Sequence, residues 1–114
     1  MQTCVFCKIA RKEIPADLVH EDEDLVAFRD VNPQAPVHIL IVPKAHVESI
    51  LVLSGEDDAV IARAVRLAAR LASSYGVAES GFRLVCNTNR HAGQSVPHIH
   101  IHLLGGRPMS WPPG

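Results

Sequence analysis

The stretch Ser95–Leu104, SVPHIHIHLL, sets three histidines at alternate positions with aliphatic residues between them. A period of two is a strand period, so His98, His100 and His102 share one face, and Ile99, Ile101 and Leu103 share the other. The aliphatic face needs an apolar partner, and the chain supplies one. From Val60 to Ala72 apolar residues recur at 60, 64, 67, 71 and at 61, 65, 68, 72, with Arg63, Arg66 and Arg70 opposite. That is an amphipathic helix running to about Tyr75, where Gly76 ends it. Ser54 heads it, with Glu56 in the first turn and Asp57 at the capping-box position.

Working outward, GFRLVCNTN at 81–89 reads as a strand, linked to the histidine strand by the loop NRHAGQSVP. VHILIVPKAH at 37–46 is a further strand, stopped by Pro43. ADLVHED and LVAFRD form a hairpin around an acidic turn, and NPQAP is a loop whose prolines exclude a central strand. Residues 4–10 form a short helix or turn. The sum is an α+β domain: an antiparallel sheet of about five strands with one long helix on one face. The tail RPMSWPPG is too proline-rich for either.

The chain has 114 residues and a net charge of −1, which fits a single domain over 1–114. Lys and Arg are scattered, so no nucleic-acid footprint is expected. No apolar run approaches a membrane span and no secretory leader pattern precedes Cys4, so no membrane partner is expected. Three cysteines, Cys4, Cys7 and Cys86, two of them in a C-x-x-C pair, point to a reducing compartment, hence the cytoplasm. Cys86, in RLVCN, reads as core. Lone histidines such as His20 and His91 read as ordinary structural or surface residues.

A solvated strand face can carry any polar residues, but three histidines in five residues is a poor random choice. With the apolar face against the helix, the histidine face should look into a cleft or onto a second subunit. Three imidazoles together offer a nucleophile or base, a phosphate ligand and a tautomer-setting partner. They could equally bind zinc, although alternate residues of one strand converge poorly on a single ion. The loop just before them supplies Gly93, Gln94 and Ser95. Exposed backbone amides beside a hydroxyl suit phosphate oxygens.

These residues carry a resemblance. HIHIHLL at 98–104 resembles the histidine triad (HIT) signature. DVNPQAPVHILIVPKAH and GQSVPHIHIHLLGGRPMSWPPG are similar to the nucleotide-binding branch of that superfamily, and the likeness runs from FCKIARKEIPA at 6–16 to Gly114. The resemblance implies a HIT-like homodimer with a purine-nucleotide pocket, hydrolysing nucleoside phosphoramidates to a nucleoside monophosphate. It implies His100 as nucleophile through a nucleotidyl-histidine, His98 as its orienter, His102 and Asn87 on phosphate oxygens, and Ser95 assisting the leaving amine with the loop amides of Gly93 and Gln94. Asp30 matches the ribose acceptor, and Phe6, Ile9, Phe28 and Val31 match the slot for the base. Trp111, in the tail, would shape selectivity across the dimer.

The sequence departs from that pattern in three places. CVFCKI carries paired cysteines that animal members of the branch typically lack. Some bacterial relatives in the wider family, and the related galactose-1-phosphate uridylyltransferases, hold zinc with such a pair. By that likeness Cys4, Cys7, His46 and His98 form a structural Zn2+ site. Ser110 stands where the animal branch usually has histidine, and NRHAG differs from the smaller or acidic residues found elsewhere. Two other readings stay open: a dinucleoside polyphosphate hydrolase or phosphorylase, and a nucleotide-binding or zinc-binding interaction protein.

Overall fold

The computed structural model describes residues 4–114. In chain order the elements are α1 (Val5–Ala10), β1 (Leu18–Glu21), β2 (Leu25–Arg29), β3 (Val37–Pro43), two single 3-10 turns (Ile50–Val52 and Gly55–Asp57), α2 (Asp58–Ser74), β4 (Phe82–Val85), α3 (Asn89–Ala92) and β5 (Ile101–Gly105). The strands form one antiparallel sheet in the order β1-β2-β3-β5-β4. The long connection through α2 carries the chain from β3 past the place β5 fills, so β5 enters last, between β3 and β4. The expected α+β architecture is present. Among the described residues no helix is long and apolar enough to cross a membrane.

Strand alternation separates two cores. On one face Leu25, Ala27, Ile39, Ile41 and Leu103 pack against Ala64, Leu67, Ala68, Leu71 and Ala72 of α2. On the other, Val26, Phe28, Leu40 and Val42 lie under Cys4, Phe6, Cys7 and Ile9 of the N-terminal segment. Small alanines on the buried side of α2 let the helix approach the sheet closely. The helical stripe is narrower than its apolar spacing implies, since Val65 is exposed. The capping box forms, with the Ser54 N–H donating to Asp57 Oδ2 at 2.9 Å, and it caps a 3-10 turn that leads into α2.

Three expectations require correction. β5 begins only at Ile101, so His98 and His100 precede it. Pro97 has no N–H for the ladder. The His98 N–H turns back to the Val96 carbonyl at 2.8 Å, and the Ile99 N–H goes to Val47 rather than to β3. Second, the loop after β4 contains the helical turn α3, ended by Gly93 in the left-handed region at φ 78°. β4 itself stops at Val85, short of the predicted segment. Third, Cys86 is half-buried rather than core; burial nevertheless pushes its thiol pKa up.

Gly105 marks where β5 meets the end of the helical layer. A Cβ placed there would lie 2.8 Å from Val77 Cβ, an atom held by its own backbone. Gly105→Ala is expected to cost about 1–3 kcal/mol, the usual size of overpacking. Urea unfolding checks this, and adding Val77→Ala should recover part of the loss, because the two sites share one contact.

Candidate active site and metal cluster

Where the chain leaves α3 and enters β5, the three histidines meet groups from four other segments. His98 is fully buried, His100 is 4% exposed and His102 is half-buried. The triad face looks into a cleft at His100 and His102, as expected, and is closed over at His98. Helix α1 lies across it, with the Phe6 ring edge-on to His98 at 5.9 Å and to His100 at 4.9 Å between centroids.

Backbone partners set the tautomers. His98 Nε2 is 2.7 Å from the Pro43 carbonyl. A carbonyl only accepts, so Nε2 carries the proton and Nδ1 presents a lone pair. That lone pair points at Cys4 Sγ (3.3 Å) and Cys7 Sγ (3.5 Å), and His46 Nδ1 lies 3.3 Å from Cys7 Sγ. The donor atoms of Cys4, Cys7, His46 and His98 all lie within 4.8 Å of one another. Two thiols and two imidazole nitrogens, one with its lone pair already aimed inward, suit a borderline-soft divalent ion. Burial first, and the neighbouring Cys4 next, raise the Cys7 thiol pKa, so an ion is the natural partner for the thiolate form.

The His98 carbonyl accepts from His100 Nδ1 at 2.7 Å, leaving His100 Nε2 as a lone pair. A second relay begins at the Gln34 N–H, which donates to His38 Nδ1 at 3.0 Å. His38 Nε2–H then donates to His102 Nδ1 at 2.9 Å, so His102 keeps its proton on Nε2. Asp30 Oδ2 lies 3.4 Å from His38 Nε2, and Asp30 Oδ1 accepts from the Asn32 N–H at 2.8 Å. Asp30, His38 and His102 also cluster within ligand distance. There, however, His38 Nε2 is the protonated nitrogen, which makes that trio a hydrogen-bond relay rather than a metal centre.

A cleft of about 710 Å³ opens above this relay, bounded by Phe6, Ile9, Phe28, Asp30, Val31, Ser95, His100 and His102. Its lining combines apolar side chains with two imidazoles, a hydroxyl, the carboxylates of Asp17 and Asp30 and the Arg29 guanidinium. That combination suits a flat apolar ring joined to a polar anionic group.

The structure thus brings together Phe6, Ile9, Phe28, Asp30, Ser95, His100 and His102, and separately Cys4, Cys7, His46 and His98. Val31 reaches the cleft rim but is 100% exposed, so it is no buried wall of the slot. Asn87, half-buried beyond β4, does not line the cleft. Gly93 ends α3, and the Gln94 side chain ties the loop down: its Oε1 accepts from Asn89 N–H, and its Nε2 donates to the Glu48 and Val96 carbonyls. Trp111 is 82% exposed on the tail, away from the cleft lining of its own chain.

Sequence reasoning passed over His38, Ile14 and Leu40. His38 had one signal: it is the sole polar residue of VHILIV, on the same parity as Leu40, which pairs with His102.

Burial first, and the neighbouring His100 and His38 next, lower the His102 pKa to about 4. His38 is lowered too, by burial against the opposing pull of Asp30. Both imidazoles therefore stay neutral in the folded protein at pH values where the unfolded chain protonates them. The unfolded state binds more protons in that window, so stability falls as pH drops from about 6.5 towards about 4 and levels off below. For His102 the full loss is up to about 3 kcal/mol at ~1.36 kcal/mol per unit. Urea unfolding in chelator at pH 7 and pH 5 reads the part reached by pH 5, about 2 kcal/mol, and His102→Asn should flatten the slope.

Comparison with known proteins agrees with this geometry. A model of the HIT domain matches residues 11–109. The chain is 50% identical over 105 residues to the purine nucleoside phosphoramidase of Escherichia coli K12, covering 92% of this chain and 88% of that one. It is 47% identical over 110 residues to an uncharacterised HIT-like protein of Synechocystis, covering 96% of both. A HIT family hydrolase of Legionella pneumophila superposes with a TM-score of 0.96 at 52% identity, covering 98% of this chain and all of that one. One from Clostridium thermocellum superposes at 0.93 and 41% identity, covering 96% of each.

Proposed function

The chain belongs to the HIT domain family, and from that premise we propose that it is a purine nucleoside phosphoramidase working through a nucleotidyl-histidine. The observation that carries the reading is the His100 Nε2 lone pair, left by the bond from Nδ1–H to the His98 carbonyl, in a cleft also lined by Phe6, Ile9 and Phe28. The base lies between Phe6, Ile9, Ile14 and Phe28, and Asp30 takes the ribose hydroxyls. His100 Nε2 forms a bond to phosphorus as the phosphorus–nitrogen bond breaks, and the departing amine takes a proton delivered from solvent through the Ser95 hydroxyl. The His100 Nδ1–H stays on the His98 carbonyl, which stabilises the cationic phosphoimidazole. His102 Nε2–H, aligned by His38, donates to a phosphoryl oxygen that extends past the cleft lining towards Asn87; the Gly93 and Gln94 N–H groups are taken by the Arg90 and Asn89 carbonyls and have no part in it. Water then attacks phosphorus, His100 leaves as neutral imidazole, and the monophosphate departs with the water proton released to solvent.

Zinc is the ion for Cys4, Cys7, His46 and His98; when bound it supplies a structural clamp between α1 and the segment carrying His98. His98 itself remains the backbone support of the nucleophile. Catalysis takes place in a single domain over 1–114 that pairs with a second copy, bringing Trp111 of one subunit towards the cleft of the other. β4 stands at a sheet edge, which leaves strand-pairing groups for that purpose. The three free thiols fit a reducing cytoplasm.

The test is release of AMP from adenosine 5′-phosphoramidate beside release of nucleotides from a diadenosine polyphosphate at equal concentration. Faster turnover of the phosphoramidate supports the reading. Faster turnover of the polyphosphate, or tight AMP binding with no turnover of either, would overturn it.

A further inference from the structure

Ser95 is a divide between two depressions. On one side is the nucleotide cleft; on the other a groove of about 230 Å³ shares Val5, Ser95 and Val96 with it and continues past Pro97 to His46 and Glu48. Liquid water occupies ~30 Å³ per molecule, so the groove suits a short aliphatic chain and is too small for a second nucleotide. Glu48 is the one carboxylate on its wall. Among the described residues that carboxylate enters no ion pair. Its backbone is held in place, because the Glu48 carbonyl accepts from Gln94 Nε2 at 2.7 Å.

We propose that this groove is the subsite for the departing amine and that Glu48 selects amines carrying a second positive charge a few carbons from the reacting nitrogen. The proposal rests on the phosphoramidase reading. A group leaving phosphorus beside Ser95 enters the groove across the shared Val5–Val96 wall, and a distal ammonium then meets an unpaired carboxylate. Because Glu48 is exposed, the preference is the size of a surface ion pair, about three- to fivefold, and weakens with salt.

Two adenosine 5′-phosphoramidates test this, one of 1,4-diaminobutane and one of n-pentylamine, which match in length and differ in the terminal charge. The readout is the ratio of their kcat/KM values in wild type, Glu48→Gln and Glu48→Lys. Intrinsic leaving ability cancels between wild type and variant. The ratio is expected to fall about three- to fivefold in Glu48→Gln and further in Glu48→Lys. An unchanged ratio in both variants, including the case where both substrates slow equally, would overturn the subsite while leaving the phosphoramidase reading intact. No turnover of either compound by wild type would overturn that reading, and the subsite with it.

Discussion

His100→Ala is expected to lower kcat/KM for adenosine 5′-phosphoramidate by at least about 10³-fold, roughly 4 kcal/mol of transition-state stabilisation. The replacement removes the atom that forms the covalent bond, so the remaining donors can only hold the substrate. Nucleotide affinity should change far less, because Phe6, Ile9 and Phe28 all remain to hold the base. His100 is buried against Phe6, so some stability goes with it. Unfolding curves for the variant separate that loss from the catalytic one. A denatured wild-type sample quenched during turnover should carry the mass of a nucleotidyl group, and the variant should not. Near-normal turnover by a folded His100→Ala protein would sink the covalent route.

The second large effect belongs to the metal cluster. Removal of zinc is expected to lower stability by about 4 kcal/mol when the reference sample holds free zinc near a thousandfold above its dissociation constant. For a domain of this size that is a fall of roughly 10–25 °C in melting temperature. Cys7→Ser should reproduce much of the fall without chelator. Activity follows, because the same residue, His98, offers its ring to the cluster and its carbonyl to His100. Elemental analysis and calorimetry with and without chelator check this. A protein purified from zinc-supplemented medium that carries no metal, and melts alike with and without zinc, would exclude the site.

Much of this molecule is legible in its sequence. The helix Asp58–Ser74 could be read because alanines and leucines repeat at its period, and β3 because VHILIV has no competing pattern. The three histidines stood out by local spacing, and the choice of His100 among them came through likeness to a family. The pairing of Cys4 with His98, residues 94 positions apart, came only through likeness to a family. His38 escaped notice, since one histidine in an aliphatic strand looks like any isolated polar residue until its partner, 64 positions away, is placed beside it.

Alternation pointed the triad face at a cleft but said nothing of how deeply each histidine sits. It assigns the parity of each side chain but carries no information about what is laid over the sheet. Helix α1 lays Phe6 over His98 and His100, while burial with His100 and His38 depresses His102. The period of apolar residues is a local property, written in neighbouring letters, and it was enough for the strands, the helix and the α+β class. The tautomers of His98, His100 and His102, the separation of metal ligands from reacting groups and the groove beyond Ser95 depend on carbonyls and side chains from distant segments. A backbone carbonyl has no letter of its own, so where it points is decided only when the chain has packed.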